Sequence, residues 1–339
     1  MRLHVVTGKG GTGKTTVAAA LALALAADGG RVLLVEVEGR QGIAQLFDVP
    51  PLPYEERHIA AARGGGELRA LAVEPKAALL EYLELFYHLG RAGRMLERIG
   101  AVDFATTIAP GVRDVLLTGK VYEAVRRREH RRGQARDGGA FVYDAVVLDA
   151  PPTGRIARFL NVNEEVVGLA KVGPIRNQSN SIMTLLRSPS SAVHLVTLLE
   201  EMPVQETADA AADLAAAGLR VGAVVVNRVR TPVLDDAALK AAVTGDLDRD
   251  EVLAGLALAG LGRRSRAAGN DTSHAALADG LLAEAADHGV RVAMEVRERA
   301  ELARLDRPTY DLPALPGGMD LGALYRLADL LRDQGMVDR

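Results

Sequence analysis

No cysteine occurs in the 339 residues, which excludes disulfides, thiolate metal centres, iron–sulfur clusters and thiol redox switches. An excess of positive charge is missing as well. Basic side chains number 41 against 44 acidic ones, so the chain has no overall cationic field to draw it onto nucleic acid. Long apolar runs are also lacking: the longest, Val17 to Ala27, is about half of what a bilayer crossing needs and is expected to be a buried helix. Nor is a leader expected, because Met1-Arg2-Leu3-His4-Val5-Val6-Thr7 runs straight into a glycine-rich stretch without an apolar core and cleavage site. These absences lead to an expected cytoplasmic location, with no nucleic-acid partner and no stable membrane insertion.

What is present is ample apolar material, 48% of the residues, at a length that suggests roughly two domains. Apolar, β-branched runs recur at Leu3–Thr7, Val32–Val37, Leu68–Val73, Val142–Leu148, Val193–Leu199 and Val221–Val226. Most are almost wholly apolar, as strands covered on both faces must be. Helical patterns such as Val17–Ala27 and Val204–Ala217 lie between them, and that alternation implies βαβ units. The expected fold is α/β, a doubly wound, mostly parallel sheet forming one domain over 1–339. Two helical insertions interrupt it, at about 75–140 and 231–305; the first holds the helical pattern Ala77–Leu89 and the second includes the polar stretch Gly269-Asn270-Asp271-Thr272-Ser273.

The first strand leads directly into Gly8-Lys9-Gly10-Gly11-Thr12-Gly13-Lys14-Thr15-Thr16, which satisfies the phosphate-loop pattern with a strand before it and a helix after it. Glycines at these positions let consecutive backbone N–H groups turn inward on phosphate oxygens, and the dipole of the following helix adds positive potential. Lys14 is expected to bridge the β- and γ-phosphates, Thr15 to bind Mg2+ and Thr16 to reach the α-phosphate. Gly8, Gly10 and Gly13 also fit the dinucleotide fingerprint, with Glu36 and Glu38 near the position of a ribose-binding acid. Lys14-Thr15 favours a triphosphate, because a pyrophosphate bridge has no γ-phosphate and needs no bound cation.

Further along, Val146-Val147-Leu148 ends in Asp149, a carboxylate at a strand tip where a Mg2+ ligand belongs, with a helix cap as the alternative. Gly154, after Pro151-Pro152-Thr153, is expected to offer its N–H to the γ-phosphate. Glu38 is the candidate for orienting the attacking water, with a structural salt bridge as its alternative and Glu36 expected to point the other way. Asn227, at the end of Val224-Val225-Val226, can donate to and accept from adenine, or simply shape a turn. The following Arg228-Val229-Arg230 lacks the Lys and Asp of a guanine-reading element, so ATP is expected as the nucleotide.

Lys9, directly after the first glycine, gives the loop a resemblance to the deviant Walker A ATPases, in which that second lysine reaches across a dimer to the partner's nucleotide. Within that class, Asp149-Ala150-Pro151-Pro152-Thr153-Gly154-Arg155-Ile156-Ala157-Arg158-Phe159-Leu160 resembles the switch II signature of the arsenite-pump ATPase and of the guided-entry factor for tail-anchored membrane proteins. The stretch Glu38-Gly39-Arg40-Gln41-Gly42-Ile43-Ala44-Gln45-Leu46-Phe47 falls where that family has switch I. Pro203-Val204-Gln205-Glu206-Thr207 is similar to its Glu-Thr segment, Asn227 to its adenine-binding Asn, and Pro313 to the Pro-rich turn over the base. The likeness is nearest to the single-P-loop, actinobacterial-type branch called anion-transporting ATPases. It implies ATP and Mg2+ as ligands and a dimer of one chain or with a paralogue. It also implies catalytic parts for Lys9, Lys14 and Glu38, with movement of the helical regions handling a client or membrane protein.

The departures are specific. Glu38 replaces the family's water-activating Asp, and Gly39-Arg40-Gln41-Gly42 replaces its Pro-Ala-His-Asn, so slow or differently switched hydrolysis is expected. The missing cysteines remove the arsenite-binding thiolates and the zinc clamp of the guided-entry dimer, so arsenite transport is not inherited. The seven scattered methionines argue against a Met-rich client groove. A nucleotide-gated regulatory or scaffold protein with little turnover is the alternative reading.

Three other features are expected to be structural. The basic run Arg126-Arg127-Arg128-Glu129-His130-Arg131-Arg132, with Arg136, reads as a solvated helix end and loop, with contact to anionic lipid or an acidic partner left open. Leu321–Leu331 is amphipathic with cancelling charges and is expected to pack on the sheet, and His194 is expected in the core.

Overall fold

The apolar runs form the interior of one sheet: β1 (Leu3–Gly8), β2 (Arg31–Glu36), β4 (Glu67–Ala72), β5 (Ala145–Asp149), β6 (Ser191–Thr197) and β7 (Val221–Val229), extended by β3 (Arg57–Ala61) and β8 (Thr309–Pro313). The spatial order is β3-β4-β2-β5-β1-β6-β7-β8, with all neighbours parallel except the β3–β4 pair. These strands, from a computed structural model, lie within the described residues, which are 1–87, 110–129, 139–161, 174–261 and 274–337.

The backbone divides into two compact units, Met1–Val229 with Leu305–Arg339, and Arg230–Arg304. In the first, β1 sits between β5 and β6, so chain order reverses direction across the sheet at β1. Such a switch point opens a crevice beyond the carboxyl ends of the strands, where ligands of open α/β sheets bind.

Helices cover both faces of this sheet. On one side lies α1 (Lys14–Ala26), in which ten of the thirteen residues are buried. Its Ala-rich sequence suits helix formation and lets it lie close under a second layer. That layer is α11 (Leu321–Asp333), started by Asp320, whose Oδ1 accepts from the Ala323 N–H at 2.6 Å. α11 buries Ala323, Leu324, Leu327, Ala328 and Leu331 against α1 and β8, an edge strand of the sheet on which the sequence led us to expect it to pack. Each such leucine withdrawn from water contributes about 1.5–3 kcal/mol. The short α2 (Gly42–Leu46) lies on the same face.

The opposite face is covered by α3 (Pro75–Tyr87), α4 (Pro110–Arg126), α5 (Thr153–Leu160), α6 (Pro174–Leu186) and α7 (Glu201–Ala216). His88 and Leu89, which end one helical pattern, and His130, Arg131, Arg132 and Arg136 of the basic run lie outside the described residues. Within the described part of that run, Arg127 pairs with Glu56 and Glu123, and Arg126 stacks on Tyr122.

The second unit holds α8 (Asp236–Thr244), α9 (Arg249–Leu258) and the 30-residue α10 (His274–Ala303), against which the other two pack. Asp235 and Asp248 cap α8 and α9. The polar stretch Gly269–Ser273 is outside the described residues.

Candidate nucleotide site

The glycine loop leaves the carboxyl end of β1 in the switch-point crevice. Gly8 closes the strand where a Cβ would lie 2.1 Å from the Val196 carbonyl oxygen on β6, so no larger residue fits. Gly11 and Gly13 have φ of 90° and 88°, the left-handed region open to glycine. The loop is tightened by the Thr12 hydroxyl, which donates to the Lys9 carbonyl at 2.8 Å. At its end, Gly13 occupies the N-cap of α1 with no side chain satisfying the first N–H groups, and no acidic residue stands in the first turn. A helix start built this way presents free backbone donors and the positive end of the dipole to an anion. Gly10 and Gly11 are exposed and face open space, while Lys14, the first helical residue, is only 8% exposed. Thr16 is half-buried on the same turn.

On the β5 side, the Thr15 hydroxyl donates to Asp149 Oδ2 at 2.7 Å. The other oxygen, Asp149 Oδ1, is buried without a hydrogen-bond partner. Burial lifts the Asp149 carboxyl from its ordinary 3.8 to about 6; the Thr15 hydrogen bond and the Lys14 charge work against that rise, and Glu36 and Glu38 add to it. An unpartnered oxygen on a desolvated carboxylate is costly unless a ligand completes it. The donor set, one hydroxyl and one carboxylate, fits Mg2+, which is usually held by one or two protein oxygens and takes the rest from phosphate and water. Among the described residues no cluster of three His, Asp or Glu side chains could cage a cation by itself.

Glu36 was expected to point away from Glu38; the charges of both add to the rise of the Asp149 carboxyl. Glu36 is register-paired with Asp149 across β2–β5, accepts from the Ile43 N–H at 3.2 Å and keeps Oε1 buried and unpartnered. Its involvement was missed, although its place at the strand end was visible in the sequence. Glu38, 19% exposed in its side chain, pairs loosely with Arg40 at 3.9 Å. It sits in the turn before α2, with Gly39 at φ 68° and Gln41 at φ 57°. Gln41 anchors that turn by exchanging hydrogen bonds with the Leu52 backbone, and Gly42 lies against the Thr15 methyl.

On the β6 and β7 side, Asn227 is buried and its amide nitrogen donates to the Thr12 carbonyl at 2.8 Å, while its oxygen accepts from the Arg228 N–H at 2.9 Å. The two partners fix the amide orientation and make Asn227 a brace for the phosphate loop. A Cβ at Gly13 would fall 2.3 Å from that amide nitrogen, so Gly13 and Asn227 are fitted to each other. Sequence reasoning gave Asn227 a base-reading part or a turn-shaping one, and neither foresaw this brace. One amide hydrogen and one lone pair remain for a base. Pro313 ends β8 and pairs in register with Val229, which brings it to the same rim.

The switch II segment is tied to β1 through the Thr7 hydroxyl, which donates to the Pro151 carbonyl at 2.6 Å. Gly154 is exposed in the first turn of α5 with open space around it. Lys9 forms an ion pair with Glu206 of α7 at 2.7 Å, and the second oxygen of Glu206 accepts from the Thr153 hydroxyl at 3.2 Å. Nothing in the sequence signalled that contact.

Behind the loop, His4 Nδ1 and His194 Nε2 share a hydrogen bond of 3.1 Å between stacked rings. Burial, with each ring's charged surroundings adding to it, holds His4 down to about 3 and His194 to about 4. His194 is thus a core histidine as read, though with a histidine partner.

A family model described as anion-transporting ATPase matches residues 1–190. The protein called ATPase BagA in Mycobacterium tuberculosis is 53% identical over 336 residues, covering 99% of this chain and 94% of its own. The arsenical pump-driving ATPase of Escherichia coli is 29% identical over 242 residues, 66% of this chain but 38% of its own length. Its counterpart in Acidiphilium multivorum is 27% identical over the same span.

Proposed function

The chain belongs to the anion-transporting ATPase family and is an ATPase, and on that premise we propose that it acts as a Mg2+-dependent dimeric switch that handles a protein client and does not transport arsenite. The observation that carries this reading is the Thr15–Asp149 contact with its orphaned carboxylate oxygen, next to a lysine and an uncapped helix start. Lys14 and the N–H groups of the loop bind the phosphates of ATP. Thr15 and Asp149 hold Mg2+, which when bound supplies positive charge to the phosphate oxygens. Glu38 orients and deprotonates the attacking water, its carboxylate held only loosely by the exposed Arg40 at 3.9 Å. Gly154 senses the γ-phosphate from the start of α5, and Asn227 and Pro313 form the base end of the site.

Lys9 completes the site of a partner chain, either a second copy or a paralogue. The reading against arsenite rests on the absence of any thiolate ligand. A client role is supported by the second unit, whose helices expose Val243, Leu258, Leu281, Val290 and Val296 to solvent. A regulatory module with low turnover is favoured by one observation only, that Lys9 is engaged within its own chain.

Steady-state hydrolysis with Mg2+ and with chelator, on the unmodified chain and Glu38→Gln, tests the catalytic part. Hydrolysis should require Mg2+ and fall at least about tenfold in Glu38→Gln with ATP affinity retained. An unchanged rate in that variant would remove Glu38 from the chemistry.

A further inference from the structure

Glu206 stands between two parts of the site that were read as separate devices. One of its oxygens pairs with Lys9 Nζ at 2.7 Å, and the other accepts from Thr153 Oγ1 at 3.2 Å. Lys9 lies on the phosphate loop and Thr153 begins α5, the helix of switch II. The carboxylate itself comes from a fixed element, because α7 buries Pro203, Val204, Thr207, Ala210 and Leu214, and the buried Thr207 hydroxyl donates back to the Pro203 carbonyl at 2.7 Å. A rigid helix therefore presents one acceptor to two segments that border the phosphates.

We propose that Glu206 is a positioning residue that stores Lys9 within its own chain and yields it to the partner's nucleotide when switch II moves, so that release of the lysine and movement of Thr153 are one event. This rests on the reading that Lys9 acts across a dimer. The strength of the hold suits that task. The Lys9 and Glu206 side chains are 29% and 34% exposed, and a pair so open to water biases an equilibrium by only about two- to fivefold. A phosphate chain carries several negative charges and outcompetes a single carboxylate for the ammonium group. When the γ-phosphate is lost that advantage shrinks, Lys9 returns to Glu206, and the Thr153 hydroxyl re-forms its bond to the same carboxylate. Glu206 thereby sets how much nucleotide is needed before two chains close, without touching the reacting atoms.

Two readouts on Glu206→Gln separate the hold from its purpose. The first is the acylation rate of Lys9 in nucleotide-free protein, followed by mass spectrometry with the exposed Lys240 as internal reference. It should rise about two- to fivefold in the variant. The second is the ATP concentration that half-saturates dimer formation, measured by sedimentation in the presence of Mg2+. It should fall by a similar factor, and the effect of Glu206→Gln should vanish in a Lys9→Ala background. Unchanged Lys9 reactivity overturns the hold whatever the dimer does. Raised reactivity with unaltered dimer formation overturns the proposal at its premise, the action of Lys9 in trans. A shift in dimer formation that persists in Lys9→Ala assigns the effect of Glu206 to some other contact and refutes it as well.

Discussion

Two polar pairs flank the carboxyl end of β1, and they are built to opposite specifications. In Thr15–Asp149, on the β5 side, the carboxylate is buried and carries an unpartnered oxygen. Lys9–Glu206, toward β6 and α7, is about a third exposed and fully paired. The first strains the fold for the sake of a ligand; the second contributes little and can be broken. A site that must bind tightly and then change partners needs both kinds of contact. The unpartnered, desolvated group marks where the ligand is held, and the weak, wet ion pair marks what moves.

The largest effect that would sharpen this contrast comes from Asp149→Asn. The variant should lose about a hundredfold or more in Mg2+-dependent hydrolysis while becoming more stable without nucleotide. The folded carboxyl titrates near 6 against 3.8 when free, so its penalty is absent below about pH 4 and complete above about pH 6. That shift of about two units corresponds to about 3 kcal/mol. Chemical denaturation should therefore show Asp149→Asn gaining up to that amount at pH 7.5, with the gain vanishing as the pH falls toward 4. By comparison, Glu206→Gln should leave stability within about 1 kcal/mol at any pH. Equal stability changes at the two positions would break the distinction drawn between them.

An effect of opposite sign in pH comes from the core behind the loop. His4 and His194 are held neutral, at about 3 and 4 against an ordinary 6.5, so the unfolded chain takes up their protons first on acidification. Their contribution is fully present above about pH 7 and is lost as the pH drops from about 6.5 toward 4. Denaturation of a His4→Gln, His194→Gln double variant across pH 4.5–7.5 should flatten that slope. A slope as steep as in the parent would show that other groups govern acid sensitivity.

Most of the sheet could be read before the structure, because β1, β2, β4, β5, β6 and β7 are buried on both faces and so are nearly continuous apolar runs. The edges could not. β3, Arg57-His58-Ile59-Ala60-Ala61, is half exposed, and β8 carries Asp311 and Pro313, tolerated there because an edge strand need not offer every N–H. The site divides along similar lines. Lys14, Thr15 and Asp149 lie in motifs whose spacing encodes their chemistry, and the structure brings Thr15 and Asp149 into contact. The Asn227 bond to the loop joins residues 215 positions apart, and Glu206 reaches Lys9 from a different helix. Contacts of that kind arise from the packing of the whole sheet and leave no local pattern in the sequence.

The central claim, that one chain's Lys9 serves another chain's nucleotide, is tested most directly by mixing two inactive variants. Lys14→Ala should fail to bind ATP, and Lys9→Ala should bind it within about twofold of the parent while losing turnover. A mixed dimer pairs an intact nucleotide site with the unaltered Lys9 of a chain that cannot bind ATP. Hydrolysis by an equal mixture should recover to roughly a quarter of the unmodified rate, since random pairing makes half of the dimers mixed and each of these has one complete site. No recovery in a mixture whose mixed dimers are demonstrated by cross-linking would contradict the account.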